Sequence, residues 1–113
     1  LISGVYCEGL IATSSYELPL MPRTFLHQNY PNPFNPTTTI EYSVARRGLV
    51  VVEIFNINGQ RIKSLVNETK DPGRYREIWD GKNEYDQPVA TGIYFCRLRV
   101  DASSSVRKML IIR

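Results

Sequence analysis

The chain has 113 residues, 42% of them hydrophobic and 11% aromatic, which supplies the core of one domain and argues against a globally disordered chain. Its 14 basic and 11 acidic residues leave a net charge of +3 scattered along the sequence, so no block builds the field that a nucleic-acid partner requires; the doublets Arg46-Arg47 and Arg107-Lys108 read as solvated strand ends. The apolar runs, such as Leu49 to Val52 and Met109 to Ile112, fall far short of the ~20 residues a membrane-crossing helix needs.

Leu1 to Ser15 are apolar, with Gly4 and Gly9, and could supply one extended strand. There is no initiator Met and no basic segment leading into a long apolar one, so the sequence reads as a processed chain or a fragment. Cys7 and Cys96 lie too far apart for a CxxC zinc or redox site. Two readings stay open for them: a disulfide, whose long loop contributes ~4 kcal/mol in the chain-entropy model, or two separate buried thiols. From Pro19 to Pro36 the prolines are too closely spaced for a helix or a central strand, which predicts a packed linker or an edge segment.

From Thr38 onward, short β-branched and aromatic runs alternate with turn signals, the pattern of a sandwich or barrel. Thr38, Ile40, Tyr42 and Val44 share one face of a first strand. Leu49 to Ile57 is apolar on one face and half apolar on the other, as a central strand should be. Asn58-Gly59 predicts a type I′ hairpin turn into a partner strand from Gln60 to Val66. Asp71-Pro72-Gly73 predicts a second turn, after which Tyr75, Glu77 and Trp79 alternate until Asp80-Gly81. A polar loop from Lys82 to Pro88, a short strand near Val89, a strand from Gly92 to Val100 and a closing strand from Val106 to Ile112 complete the chain. The expectation is an all-β, immunoglobulin-like antiparallel sandwich of about seven strands behind a proline-rich lead, with residues 1–25 an extension and residues 26–113 the folded domain.

Little in this sequence carries chemistry. It holds one histidine, His27, and lacks the local signatures of hydrolases, zinc peptidases and nucleotide binders, so no catalytic residue, cofactor or small-molecule substrate is expected. Asp80, Asn83, Glu84 and Asp86 share a loop, but their spacing does not match an EF-hand, and a solvated acidic turn is the expected reading. Asn67-Glu68-Thr69 fits the N-glycosylation pattern, a short match of little weight.

The run Asn29-Tyr30-Pro31-Asn32-Pro33-Phe34-Asn35-Pro36 resembles the start of the type A sorting domain of type IX secretion, itself similar to the Ig-like domain of the flagellar hook-capping protein. The resemblance continues in order through Gly59-Gln60, Trp79-Asp80-Gly81, Gly92 with Tyr94, and Lys108-Met109, covering Leu26 to Arg113. Ala45, Asp86 and Cys96 depart from it, standing where proline, glycine and Tyr are usual. What the resemblance implies is an address for export across the outer membrane of a Bacteroidetes-like Gram-negative bacterium. Its partners would be the translocon, a shuttle and a sortase-like peptidase, and its destination the cell surface. The competing expectation is a subunit of an extracellular filament or surface layer, a homo-oligomer joined by strand addition with Leu1 to Ser15 as donor.

Overall fold

The computed structural model describes residues 23–112, which form seven strands: β1 (Phe25–Leu26), β2 (Thr38–Val44), β3 (Gly48–Asn56), β4 (Arg61–Lys70), β5 (Gly73–Trp79), β6 (Gly92–Val100) and β7 (Ser103–Ile111). They lie in two antiparallel sheets, one ordered β1-β2-β5 and the other β4-β3-β6-β7. The chain changes sheet between β2 and β3, between β4 and β5, and again between β5 and β6, which stacks the sheets face to face as an immunoglobulin-like sandwich.

Period-two alternation decides what lies between the sheets. Ile40, Tyr42 and Val44 from β2 meet Val50, Val52 and Ile54 from β3, Cys96, Leu98 and Val100 from β6, and Met109 and Ile111 from β7. Burying each large apolar side chain stabilises the fold by about 1.5–3 kcal/mol. β3 is the central strand its composition predicts, paired on both sides and buried on both faces, Val51 and Glu53 included.

Four local expectations are corrected. The turn after β3 is not type I′, because Asn58 does not take a positive φ; a three-residue loop, Ile57 to Gly59, places only Gly59 (φ 80°) in the left-handed region. The Asn56 side chain takes over the work assigned to Asn58: its Oδ1 accepts the N–H groups of Asn58 (2.9 Å) and Gln60 (3.0 Å). β4 runs on to Lys70, since Asn67 to Lys70 continue the ladder with β3 despite their polarity. No strand forms near Val89. An isolated bridge joins Lys82 to Pro88, and the Val89 N–H donates to the Gly81 carbonyl (3.0 Å). β7 begins at Ser103, three residues before its apolar part, because the tight turn at Asp101 (φ 52°) starts pairing at once.

Candidate functional site

The described part of the proline-rich segment is the edge segment of the two expected readings, and it spans both sheets. It begins on the first sheet, where Tyr30 bridges Thr39, and ends on the second, where Phe34 bridges Ile111 in parallel. The Phe34 N–H donates to the Leu110 carbonyl (2.9 Å) and the Ile112 N–H donates to the Phe34 carbonyl (2.9 Å). Around this bridge, Asn32 Oδ1 accepts the Leu110 N–H (2.9 Å) and Gln28 Nε2 donates to the Lys108 carbonyl (2.9 Å). Gln28 to Phe34 is therefore a strap across the outer edge of β7, and it satisfies backbone groups that an edge strand would otherwise leave to solvent.

Its anchors are two buried side chains. Asn29 is buried, and its Nδ2 donates to Thr38 Oγ1 (2.9 Å) and to the Pro31 carbonyl (3.2 Å); the Thr38 hydroxyl donates to that same carbonyl (2.9 Å). Phe34 is buried against Trp79, with ring centroids 5.5 Å apart, and Trp79 meets Tyr94 edge-on at 5.7 Å. Aromatic contacts of this kind add about 0.5–1.5 kcal/mol each beyond the area they bury. Between these anchors Tyr30 is 67% exposed and Pro31, Asn32 and Pro33 face solvent, as do Asn35 and Pro36 just beyond Phe34.

The remaining residues singled out in the sequence gather at the same end of the sandwich. Trp79 donates its indole N–H to the Lys82 carbonyl (2.9 Å), Asp80 Oδ1 accepts the Lys82 N–H (3.1 Å), and Gly81 takes a φ of 75° that a side chain would strain. Gly92 opposes Ile111 and Tyr94 opposes both Met109 and Asn56, which brings the Gly59-Gln60 turn to this end as well. Met109 is buried, whereas Lys108 is exposed. One contact was not read from the sequence: the Tyr94 hydroxyl donates to the Ala90 carbonyl (2.7 Å), a tyrosine corner at the start of β6. A Tyr two residues into a strand opened by Gly92 was the available signal.

The acidic loop is occupied with its own backbone. Asn83 Oδ1 accepts the N–H groups of Tyr85 (2.9 Å) and Gln87 (3.0 Å), and Asp86 holds the left-handed conformation (φ 61°). Asp86 is one of the positions at which the sequence departs from the sorting-domain pattern, and a positive φ explains why glycine suits it. Among the described residues no group of His, Cys, Asp and Glu is arranged to hold a metal ion. His27 packs edge-on against Phe25 (4.8 Å) and donates its backbone N–H to the Glu41 carbonyl (3.0 Å). Cys96 is buried, and burial pushes its thiol up to about 12. Cys7, its candidate disulfide partner, and the candidate donor strand Leu1 to Ser15 lie outside the described residues.

Charge is organised on the outer faces of the sheets. On the smaller sheet Glu41 accepts from Arg76 Nε (3.1 Å) and Nη2 (2.7 Å), and that hydrogen bonding holds its carboxyl below the usual value. On the larger sheet Glu53 accepts from Arg97 (2.8 Å) and Arg61 (3.3 Å). Burial alone would raise the Glu53 carboxyl, but the two guanidinium hydrogen bonds outweigh it and the net shift is downward. Beside this cluster runs an open groove of about 320 Å³ lined by Phe55, Ile57, Phe95, Arg97 and Val106. Tyr42 lies deeper, and burial followed by the nearby Glu77 carboxylate pushes its phenol upward.

These features define the class: an immunoglobulin-like β-sandwich module, with its interior filled by side chains and its last strand strapped by its own lead segment. Over residues 28–113 the chain matches the family described as the secretion system C-terminal sorting domain, and it belongs to that family, the sorting domains of type IX secretion. Among solved structures it is similar to dimeric latent PorU from Porphyromonas gingivalis, with a TM-score of 0.58 and 21% identity over 79% of this chain and 9% of that one. It is also similar to PorZ, an essential surface component of the type IX secretion system of the same bacterium, with a TM-score of 0.53 and 20% identity over 80% of this chain and 11% of that one. The chain thus spans about a tenth of the length of either protein. No curated protein matches it. Family membership assigns it a role as a secretion signal.

Proposed function

We propose that residues 26–113 are a non-catalytic address, read at the cell envelope by the type IX translocon and its shuttle, removed by a sortase-like peptidase and exchanged for attachment at the surface of a Bacteroidetes-like cell. The observation that carries this reading is the coincidence of the family match, residues 28–113, with the strapped sandwich. Phe34, Trp79, Tyr94 and Met109 fill the interior, so these motif residues act by building the fold. Recognition falls to what they expose: Tyr30, the prolines of the strap, and the outward side chains of β7 such as Lys108.

Export of a reporter tests the proposal. The reporter, led by a signal peptide and followed by the full chain, is expressed in a bacterium with a working type IX system. It should reach the medium or the surface, and the same fusion lacking Val106 to Arg113 should accumulate in the periplasm. Undisturbed export of the shortened fusion, or export from a strain without the translocon, would remove the reading.

A further inference from the structure

The strand registers collect apolar and cationic side chains on the outer face of the four-stranded sheet. Paired residues share a face, so Phe55 opposite Phe95, and Arg97 opposite Val106, place the open groove in the middle of this face. Ile57 (70% exposed) and Val106 (55% exposed) border it, and Ile93 and Leu110, opposite each other, extend it along β6 and β7. An apolar patch that is continuous over neighbouring strands marks a surface that a partner covers.

Its rim is cationic. Arg99 stands opposite Val51 and Lys108 opposite Phe95, on the same face as Arg97 and Arg61. Glu53 is the one carboxylate that the registers put there among the described residues, and both Arg97 and Arg61 engage it. Arg99 and Lys108 are exposed and make no salt bridge with a described residue. The occupant this surface fits is therefore apolar and acidic.

The spacing of the two free cations narrows the choice. Arg99 stands opposite Ser104, and along β7 Val106 lies between Ser104 and Lys108 on the same face. At about 3.3 Å per residue along a strand and ~4.8 Å from strand to strand, Arg99 and Lys108 are anchored roughly 14 Å apart on either side of the groove. An extended polypeptide presents every second side chain on one face, so an acidic, an apolar and a second acidic residue at alternate positions cover about 13 Å and match cation, groove and cation. Other occupants match less well. A second copy of this face would set like charges against each other. An anionic bilayer would meet the loop that carries Asp80, Glu84 and Asp86, which lies along the β4 edge of this sheet, where the Glu84 N–H donates to the Ile62 carbonyl (3.2 Å).

We infer that the outer face of the four-stranded sheet docks an extended protein segment with acidic, apolar and acidic side chains at alternate positions, the apolar one in the Phe55–Phe95–Val106 groove and the carboxylates on Arg99 and Lys108. This names the chemistry of the partner that reads the address, and it rests on the proposed address only for where that partner resides.

Two blocked peptides, Thr-Glu-Thr-Phe-Thr-Glu-Thr and its counterpart with Lys in place of Glu, serve as probes in titrations of the intact, isotope-labelled chain. The acidic peptide shifts the amide signals of Phe55, Phe95, Arg99 and Val106 saturably and leaves those of Arg76 and Ile78, on the outer face of the other sheet, in place. The Lys peptide does not. Binding of the acidic peptide weakens about tenfold in the Arg99→Glu, Lys108→Glu double variant, whose spectrum away from this face stays that of the folded chain. It also weakens in roughly 1 M salt, where the screening length is about 3 Å. Absence of a saturable shift at the groove overturns the inference, as does equal binding of the Lys peptide or undiminished binding by the double variant. Co-sedimentation of the chain with phosphatidylglycerol vesicles that the acidic peptide does not displace also overturns it, making the face a lipid-binding one. The titration does not depend on export. A reporter that fails to leave the cell removes the address and leaves this surface standing, whereas a failed titration removes the surface and leaves the address.

Discussion

Glu53 illustrates how one residue on a sheet face sets a pH dependence. Its side chain is 9% exposed and is held by Arg97, one-third exposed, and by Arg61, more than half exposed, so Arg97 carries most of the interaction and Arg61 is largely screened. A carboxyl whose folded pKa is depressed adds stability that is fully present above its unfolded value, here 4.5, and lost as the pH falls through the lower folded value. Glu53→Gln should cost about 1.5–3 kcal/mol at neutral pH, the worth of a hydrogen bond to a charged group. Urea unfolding of the two proteins should give curves that converge as the pH drops below 4.5, and a gap that persists in acid would show that packing, not charge, holds this site.

At the scale of elements, the strap is the feature most open to test. Asn32 is exposed, yet its carboxamide oxygen accepts the Leu110 N–H on the outer edge of β7. Asn32→Ala should leave the fold intact, lower stability by about 0.5–1.5 kcal/mol and speed hydrogen exchange at Leu110, with the amides of central β3 unaffected. Equal acceleration across both strands would mean that the strap is part of one cooperative unit. The strands were legible in the sequence because alternation such as Thr38, Ile40, Tyr42, Val44 reports burial directly. The turns were legible only as places: Asn58-Gly59 marked the loop, but the hydrogen-bonding work went to Asn56, which lies inside the strand pattern. The strap was legible only as a break, because Phe34 pairs with Ile111, 77 positions later, and nothing local to the prolines announces that partner.

At the scale of the molecule, Phe34 joins the lead segment, β5 and β6 through its contact with Trp79 and the Trp79–Tyr94 contact. Phe34→Ala removes a fully buried ring at a cost of about 3–5 kcal/mol, a large part of the 5–15 kcal/mol that holds a domain of this size. The fluorescence of Trp79, the single tryptophan, should report unfolding at a much lower urea midpoint in this variant, and an unchanged midpoint would show that Phe34 is not the keystone its burial suggests. The whole architecture was accessible from the sequence since two apolar faces must meet somewhere, and strands this short meet best as two sheets. The cationic rim with its apolar groove was not, because Phe55, Phe95, Arg97 and Val106 come from three strands and share a face only through their registers.

The order of synthesis gives the strap a further consequence. Within the domain a ribosome makes Phe34 before β2 and Ile111 at the end of β7, so the bridge between them cannot close until nearly every residue of the domain has been translated. A nascent chain arrested before β7 lacks Met109 and Ile111 and leaves Phe34 and the far edge of β6 without their backbone partners. Only translation through β7 yields the finished sandwich, so the strap reports that the domain's own last strand has been made.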